Sequence, residues 1–89
     1  MKIYFTKSFK IIYKERVETN RKLANRFEER FDVFKEDPEA EILNDHALGK
    51  NLSGFRAFSI TKDVRVVYHI YNNIAYFVDI GTHNQVYKK

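Results

Sequence analysis

The sequence predicts an α+β fold in which an N-terminal helical hairpin packs on one face of a three- to four-stranded antiparallel sheet. Up to Pro38 the apolar residues recur at helical spacing, and after Pro38 they alternate with the period of two that strands have. The links between the later apolar runs are too short for parallel crossovers, which need about a dozen residues or more. Because 89 residues leave room for one core, we expect a single domain over residues 1–89.

Two helices are predicted to follow a short strand over residues 2–5. Ser8 is a candidate N-cap for the first helix and Asn20 for the second. The second helix carries an apolar stripe at helical spacing opposite a charged face, and the stripe consists of Leu23, Phe27, Phe31 and Phe34. This helix should end before Asp37-Pro38, because the residue that precedes a proline avoids the α region. We therefore expect the phenylalanines to fill the core.

Three later runs, over residues 55–61, 64–71 and 74–80, have the Val, Ile, Tyr and Phe content of strands. Lys62-Asp63 is a tight link between the first two, and Asn72-Asn73 is a hairpin signal because Asn tolerates a positive φ. Ile42-Leu43 is a candidate short strand, followed by a polar loop over residues 44–53. The helical hairpin must then bury its stripe on one face of this sheet.

The formal net charge of +4 is confined to the C-terminal part of the chain. Residues 1–49 contain ten Lys or Arg and ten Asp or Glu, whereas residues 50–89 contain only two acids, Asp63 and Asp79, against six basic residues: Lys50, Arg56, Lys62, Arg65, Lys88 and Lys89. This excess favours a polyanionic partner, since cations that meet phosphates release condensed counterions. The alternative is an ordinary solvated surface.

The composition also bears on where the protein works. With no cysteine, disulfides and thiolate metal sites are excluded, and a reducing compartment fits. The N-terminus reaches Lys7 and Lys10 before any apolar run long enough for a signal peptide. No run approaches the roughly 20 apolar residues that span a bilayer. We expect a soluble cytoplasmic protein with no membrane partner.

Histidines are the main candidates for chemistry, because nucleotide-binding, zinc-protease and calcium-loop motifs are all missing. His69 fits the regular alternation of side chains in its predicted strand, so we interpret it as a structural residue. His46 and His83 instead lie in polar loops beside small residues, where a side chain can reach a ligand. The three histidines lack the spacing of metal ligands, and we expect neither a metal nor a cofactor.

Five short segments resemble, in order and spacing, the C-terminal half of RelE/ParE-superfamily toxins, and the YafQ branch most closely. They are Asn44-Asp45-His46-Ala47-Leu48, Leu52-Ser53-Gly54-Phe55-Arg56, Asp63-Val64-Arg65-Val66-Val67-Tyr68, Gly81-Thr82-His83 and Tyr87. The resemblance implies a RelE-like fold and the toxin of a type II toxin-antitoxin system. It further implies a metal-independent endoribonuclease (an mRNA interferase) whose partners are mRNA, the ribosome and a cognate antitoxin.

Carried over by position, His83 matches the principal catalytic histidine, His46 the loop histidine and Asp63 the acidic residue of the site. Arg56 and Arg65 match basic positions of the wider group, and Tyr87 matches a C-terminal aromatic. The candidate substrate-binding residues are therefore Arg56, Arg65, Tyr87, Lys50 and Lys62. The chain departs from the pattern at Ser59, Val64 and Asp79, where YafQ-like toxins carry His, Trp and Arg. These departures imply a weaker or differently targeted activity.

The residue types suit RNA cleavage by the RNA's own 2′-OH. Such a reaction needs a base near the 2′-OH and an acid near the leaving 5′-oxygen, and histidine exchanges protons near neutral pH. Arginines can clamp the phosphate, and Tyr87 can stack on a splayed base. Which of His46 and His83 is the acid stays open.

Less specific interpretations also stay open. Arg56 and Arg65 could be solvent-facing strand residues, and Tyr87 could be a C-terminal core plug. For the whole chain, the alternatives are a ParE-like gyrase inhibitor and a non-catalytic RNA- or protein-binding module on the same scaffold.

Overall fold

The helical hairpin that the sequence predicts is formed by α1 (Lys7–Arg16) and α2 (Arg21–Glu36) in a computed structural model, which describes residues 1–87. The cap of α1 is Thr6 rather than the predicted Ser8, because the Thr6 hydroxyl accepts a hydrogen bond from the Phe9 N–H at 3.2 Å. Asn20 caps α2 as predicted, accepting from the Leu23 N–H at 3.1 Å. The end of α2 before Asp37-Pro38 is also confirmed.

Within residues 1–87 the sheet has five strands, one more than the upper end of the predicted range. They are β1 (Lys2–Phe5), β2 (His46–Ala47), β3 (Arg56–Ser59), β4 (Val64–Tyr71) and β5 (Ile74–Thr82), in the spatial order β1-β5-β4-β3-β2. The pairs β3–β4 and β4–β5 are antiparallel, as predicted, and the unpredicted pair β2–β3 is antiparallel too, whereas β1 pairs in parallel with β5. A parallel pair is possible here because the long connection that it requires separates β1 from β5 in the chain. The extra edge strand, β2, comes from the predicted polar loop.

The connections confirm one turn and correct one strand. Asn72 and Asn73 join β4 to β5 with φ of 49° and 64°, the conformation that the hairpin signal predicts. Ile42-Leu43 is not a strand; it belongs to a 3₁₀ helix over Glu41–Leu43 that ends at Asn44, whose φ is 47°. A second 3₁₀ helix covers Lys50–Leu52. The last element in the described residues is α3 (His83–Tyr87), which follows β5 directly.

The core lies between the sheet and the two long helices, and aromatic rings fill much of it. Phe34 of α2 is fully buried, stacks on Phe58 at 4.7 Å between ring centroids and meets Tyr68 and Phe77 edge-on. Phe27 is buried and Phe31 half-buried, so the predicted stripe does face the core. Bulky rings let a short chain bury enough apolar area to hold its fold. None of the helices in residues 1–87 is long and apolar enough to cross a membrane.

The two faces of the sheet differ in what packs on them. The covered face lies under α1 and α2 and carries core residues such as Phe58, Val66 and Tyr68. Because successive strand residues point to opposite sides, Arg65 and His69 lie on the other face, which we call the open face. The short helix α3, which follows β5, packs on β4 and β5. The candidate site lies where it does so.

Candidate functional site

A groove of about 400 Å³ lies between α3 and the loop that precedes β3. Its wall on one side consists of His83 and Tyr87, and on the other of the loop residues Leu48, Gly49, Lys50, Asn51 and Leu52. His83 and Tyr87 are four residues apart on one helical turn, so their side chains are neighbours. Their ring centroids lie 4.6 Å apart at an interplanar angle of 80°. His83 is exposed and can reach a ligand in the groove.

The turn that presents His83 is held by local hydrogen bonds. The Thr82 N–H donates to the Gln85 side-chain oxygen at 2.8 Å, and the Gln85 N–H donates to the Thr82 hydroxyl at 3.3 Å. This reciprocal pair is a capping box, which fixes the start of α3. A Cβ at position 81 would lie 2.6 Å from both Arg16 Nη1 and Gln85 Oε1, so a larger residue there would displace the ends of these two side chains. The position of His83 is therefore set by the residues on either side of it.

Arg65 and Tyr87 bring two unsatisfied donors to the same end of the open face. The Arg65 guanidinium carbon lies 5.6 Å from the centroid of the Tyr87 ring. The Arg65 Nε and the Tyr87 hydroxyl are both buried, and neither has a hydrogen-bond partner within residues 1–87. An unsatisfied buried polar group costs about 1–3 kcal/mol, so such groups call for an explanation.

Arg56 lies on the covered face, away from Arg65. Its Nε donates to Asp45 Oδ1 at 2.7 Å, and the Tyr68 hydroxyl donates to Asp45 Oδ2. The Asp45 side chain is only 6% exposed, against 41% for Arg56, so the carboxylate is the buried partner of this cluster. The hydrogen bond to Asp45 raises the pKa of Arg56. Burial raises the pKa of Tyr68, and its hydrogen bond to Asp45 adds to the effect.

The other candidates from the sequence stand outside the groove wall. His46 is exposed on β2, and because it pairs with Ala57 its side chain lies on the open face, with Nδ1 2.9 Å from the Asn44 carbonyl oxygen. Lys62 and Asp63 are exposed in the turn between β3 and β4. The structure thus brings together His83, Tyr87, Arg65 and Lys50. It places His46 on the same face and leaves Arg56 on the opposite one. Lys88 and Lys89, counted in the basic excess, lie outside the described residues.

Two departures from the toxin pattern have structural consequences. Ser59 lies across from Arg65, which in turn pairs with Gly81, so it belongs to the open face. Asp79 is buried, 4% exposed, and its Oδ1 lies 3.4 Å from Arg16 Nη1. The same Arg16 nitrogen donates to the Ile80 carbonyl at 3.0 Å. Arg16 of α1 therefore places a positive charge beside position 79. Sequence reasoning missed it, since no local pattern connects two residues so distant in the chain.

Within residues 1–87, no three His, Asp or Glu side chains come together in a way that could hold an ion.

Solved structures of small bacterial toxins share this fold. YafQ from E. coli has a TM-score of 0.80 at 18% sequence identity, with 96% of each chain covered. A copper-bound mutant toxin from Helicobacter pylori has a TM-score of 0.75 at 24% identity, covering 98% of this chain and 99% of that one. A chain of the E. coli DinJ-YafQ complex has a TM-score of 0.77 at 18% identity, again with 96% of each chain covered. At these identities, the likeness defines the fold.

The family follows from the sequence itself. A family model described as the bacterial toxin of a type II toxin-antitoxin system, YafQ, matches residues 1–88. The chain therefore belongs to the YafQ family of type II toxins. No curated protein matches it.

Proposed function

We propose that this YafQ-family toxin is an endoribonuclease that cuts mRNA on the ribosome, with His83 transferring a proton at the scissile phosphate. One observation carries the proposal: His83 and Tyr87 frame a groove beside two buried donors, on Arg65 and Tyr87, that have no partner within residues 1–87. A phosphodiester offers the acceptor oxygens that Arg65 lacks, and an unpaired base offers a ring and polar edges to Tyr87.

The reaction needs only proton transfer and charge stabilisation from the protein. The 2′-OH of the RNA loses its proton to a base and attacks the adjacent phosphorus, and the bond to the 5′-oxygen breaks as an acid protonates that oxygen. The products are a 2′,3′-cyclic phosphate and a free 5′-OH. His83 can serve as the acid or the base, and His46, on the same face, is the candidate for the other role.

The cations at the groove are assigned the role of stabilising the negative charge that builds up on the phosphate during cleavage. Lys50 lines it, and Arg65 lies against Tyr87 at its edge. Preorganised donors of this kind are often the largest contribution to catalysis. Arg56 receives a structural role, because Asp45 holds it on the covered face. Lys62 and Asp63, exposed in their turn, are proposed to meet RNA or the ribosome outside the groove.

We also infer a cognate antitoxin as partner. The supporting likeness is to the toxin chain of a complex described as DinJ-YafQ. An antitoxin segment that is acidic and disordered before binding could cover the groove and the cations beside it, since folding on binding lets a short segment cover a large surface. The toxin and its antitoxin are expected to act in the cytoplasm, where the ribosomes are.

The test compares His83→Gln with Asn84→Ala, a change at the next, exposed residue of α3. Gln keeps a hydrogen-bonding end but exchanges no proton near neutral pH. Cleavage of mRNA in a purified translation system, followed by mapping of the RNA 5′ ends, should fall by about 10²–10⁴ for His83→Gln and hold for Asn84→Ala. Thermal unfolding should show both variants folded.

Two outcomes would overturn parts of this proposal. Cleavage by His83→Gln at the parental rate would remove His83 from the chemistry. A parent protein that cuts no RNA but blocks DNA supercoiling by purified gyrase would establish the ParE-like alternative instead.

A further inference from the structure

Four aromatic rings form a row across the open face, from the groove wall to the far edge of the sheet. Phe55 meets His69 edge-on, with ring centroids 5.2 Å apart. His69 stacks on Tyr76 at 5.1 Å and an interplanar angle of 14°. Tyr76 meets Tyr4 edge-on at 5.6 Å. We call these four residues the aromatic row.

The strand register explains why the row is continuous. Tyr4 of β1 pairs directly with Tyr76 of β5, and Tyr76 pairs with His69 of β4. Phe55 immediately precedes β3, whose first residue, Arg56, pairs with Tyr68, so Phe55 is level with His69. Residues directly opposite each other share a face, so the row lies outside the core. The rings brace one another and hold Tyr4 in place.

The row ends in an exposed side chain. Tyr4 is 54% exposed, while the three inner rings are half-buried. Tyr71, the next residue after His69 on the same face of β4, is 64% exposed. Exposed aromatic side chains grouped on one face mark an interaction surface rather than a contribution to the core.

The charge around the row selects the kind of partner. Among the described strand residues on the open face, Asp79 is the one carboxylate, and it is 4% exposed and lies 3.4 Å from Arg16. Lys2 and Arg65 are on this face, and Lys50 lines the adjoining groove. The carboxylates of α1 and α2 belong to the other layer. A polyanion can therefore approach the open face without meeting an exposed strand carboxylate.

The row begins at the wall of the groove. The Leu48 N–H donates to the Phe55 carbonyl at 2.9 Å, and Leu48 itself lines the groove with His83. A strand of RNA that enters the groove can thus leave it across Phe55 and His69 toward Tyr4.

We propose that the aromatic row is a binding site for single-stranded RNA, with Tyr4 stacking on an unpaired base outside the cleavage groove. This inference rests on the proposed function and adds a second binding site to it. A sheet surface that carries aromatic rings and cations favours single strands, since bases inside a duplex are already stacked. Tyr4 contributes its ring and needs no hydroxyl for this role.

The experiment measures RNA binding in a His83→Gln background, so that cleavage does not consume the probe. The probe is a short, unstructured, fluorescein-labelled uridine-rich RNA, followed by anisotropy. Tyr4→Ala should weaken binding by about 5- to 100-fold, as loss of one stacked base does. Tyr4→Phe should bind like the background protein. Ile42→Ala removes a side chain that is 56% exposed outside the strands, and should also leave affinity unchanged.

Several results would overturn the row as an RNA site. The first is that Tyr4→Ala binds the probe as tightly as its background does. The second is that a duplex of the same length competes as well as the single strand. The third is that Tyr4→Ala binds RNA normally but binds the antitoxin more weakly. The last would assign the row to a protein partner. None of them touches the cleavage test, because that test depends on His83 alone. If His83→Gln still cuts RNA, the Tyr4 measurement is made with a 2′-O-methyl probe, which has no 2′-OH to attack the phosphate, so the two tests fail independently.

Discussion

The covered and open faces of the sheet are made by alternate residues of the same strands, but they differ in how completely their buried polar groups are paired. On the covered face, the buried carboxylate of Asp45 is matched by Arg56 and by the Tyr68 hydroxyl. On the open face, the Arg65 Nε and the Tyr87 hydroxyl are buried without a partner among the described residues. The first arrangement stabilises the fold, and the second leaves two buried donors that no described residue satisfies.

Two arginines on neighbouring strands show what decides between these roles. Arg56 and Arg65 are the same residue type, and both match basic positions of the toxin pattern. Strand alternation places Arg56 level with Tyr68 and Arg65 level with Gly81. The facing residue, rather than the arginine, therefore determines whether the side chain meets a partner inside the fold.

Arg56→Ala should have the largest effect on stability among the changes that probe this difference. It leaves the Asp45 carboxylate, 6% exposed, without its cation. We expect a loss of about 1–3 kcal/mol in the free energy of unfolding. The loss is limited because the Arg56 side chain is partly exposed, so water can solvate the Asp45 carboxylate from that side. Urea unfolding followed by circular dichroism measures it, with Lys62→Ala as the control at an exposed turn position. Equal stability of Arg56→Ala and parent would mean that the cluster contributes nothing to the fold.

Tyr68→Phe should have a smaller effect, and one that depends on pH. Near neutral pH the loss of one hydrogen bond to Asp45 should lower the free energy of unfolding by about 1–2 kcal/mol. The pKa of Tyr68 is raised by folding above its usual 10.0. The unfolded chain then releases this proton first, so parental stability is fully present below pH 10 and falls as pH rises beyond it.

The variant should lose less stability over that alkaline range. Part of the decline should persist in it, because burial and nearby Glu28 also raise the pKa of Tyr13. Unfolding curves between pH 8 and 11 test this, and parallel declines in parent and variant would exclude Tyr68 as a source of the alkaline sensitivity.

Local patterns predicted most of the fold and part of the site. The period of α2, its Asn20 cap, the Asn72-Asn73 turn and the long strand β4 all depend on neighbouring residues, and the sequence predicted each of them. The parallel pairing of β1 with β5 depends on residues far apart in the chain, and it was not predicted.

The site divides in the same way. His83 and Tyr87 share one helical turn, so their proximity could be predicted from their spacing. The separation of Arg56 from Arg65 depends on strand register, and the contact of Arg16 with Asp79 joins α1 to β5. Single-sequence patterns contain neither kind of information.

The most direct test of the difference between the faces is the cleavage rate per folded molecule for Arg65→Ala and Arg56→Ala, measured side by side. If the chemistry belongs to the open face, Arg65→Ala should lose activity by a factor on the order of 10², as removal of one preorganised donor does. Arg56→Ala, corrected for its unfolded fraction, should cut at close to the parental rate. Loss of cleavage in Arg56→Ala with full activity in Arg65→Ala would contradict the assignment of the two faces.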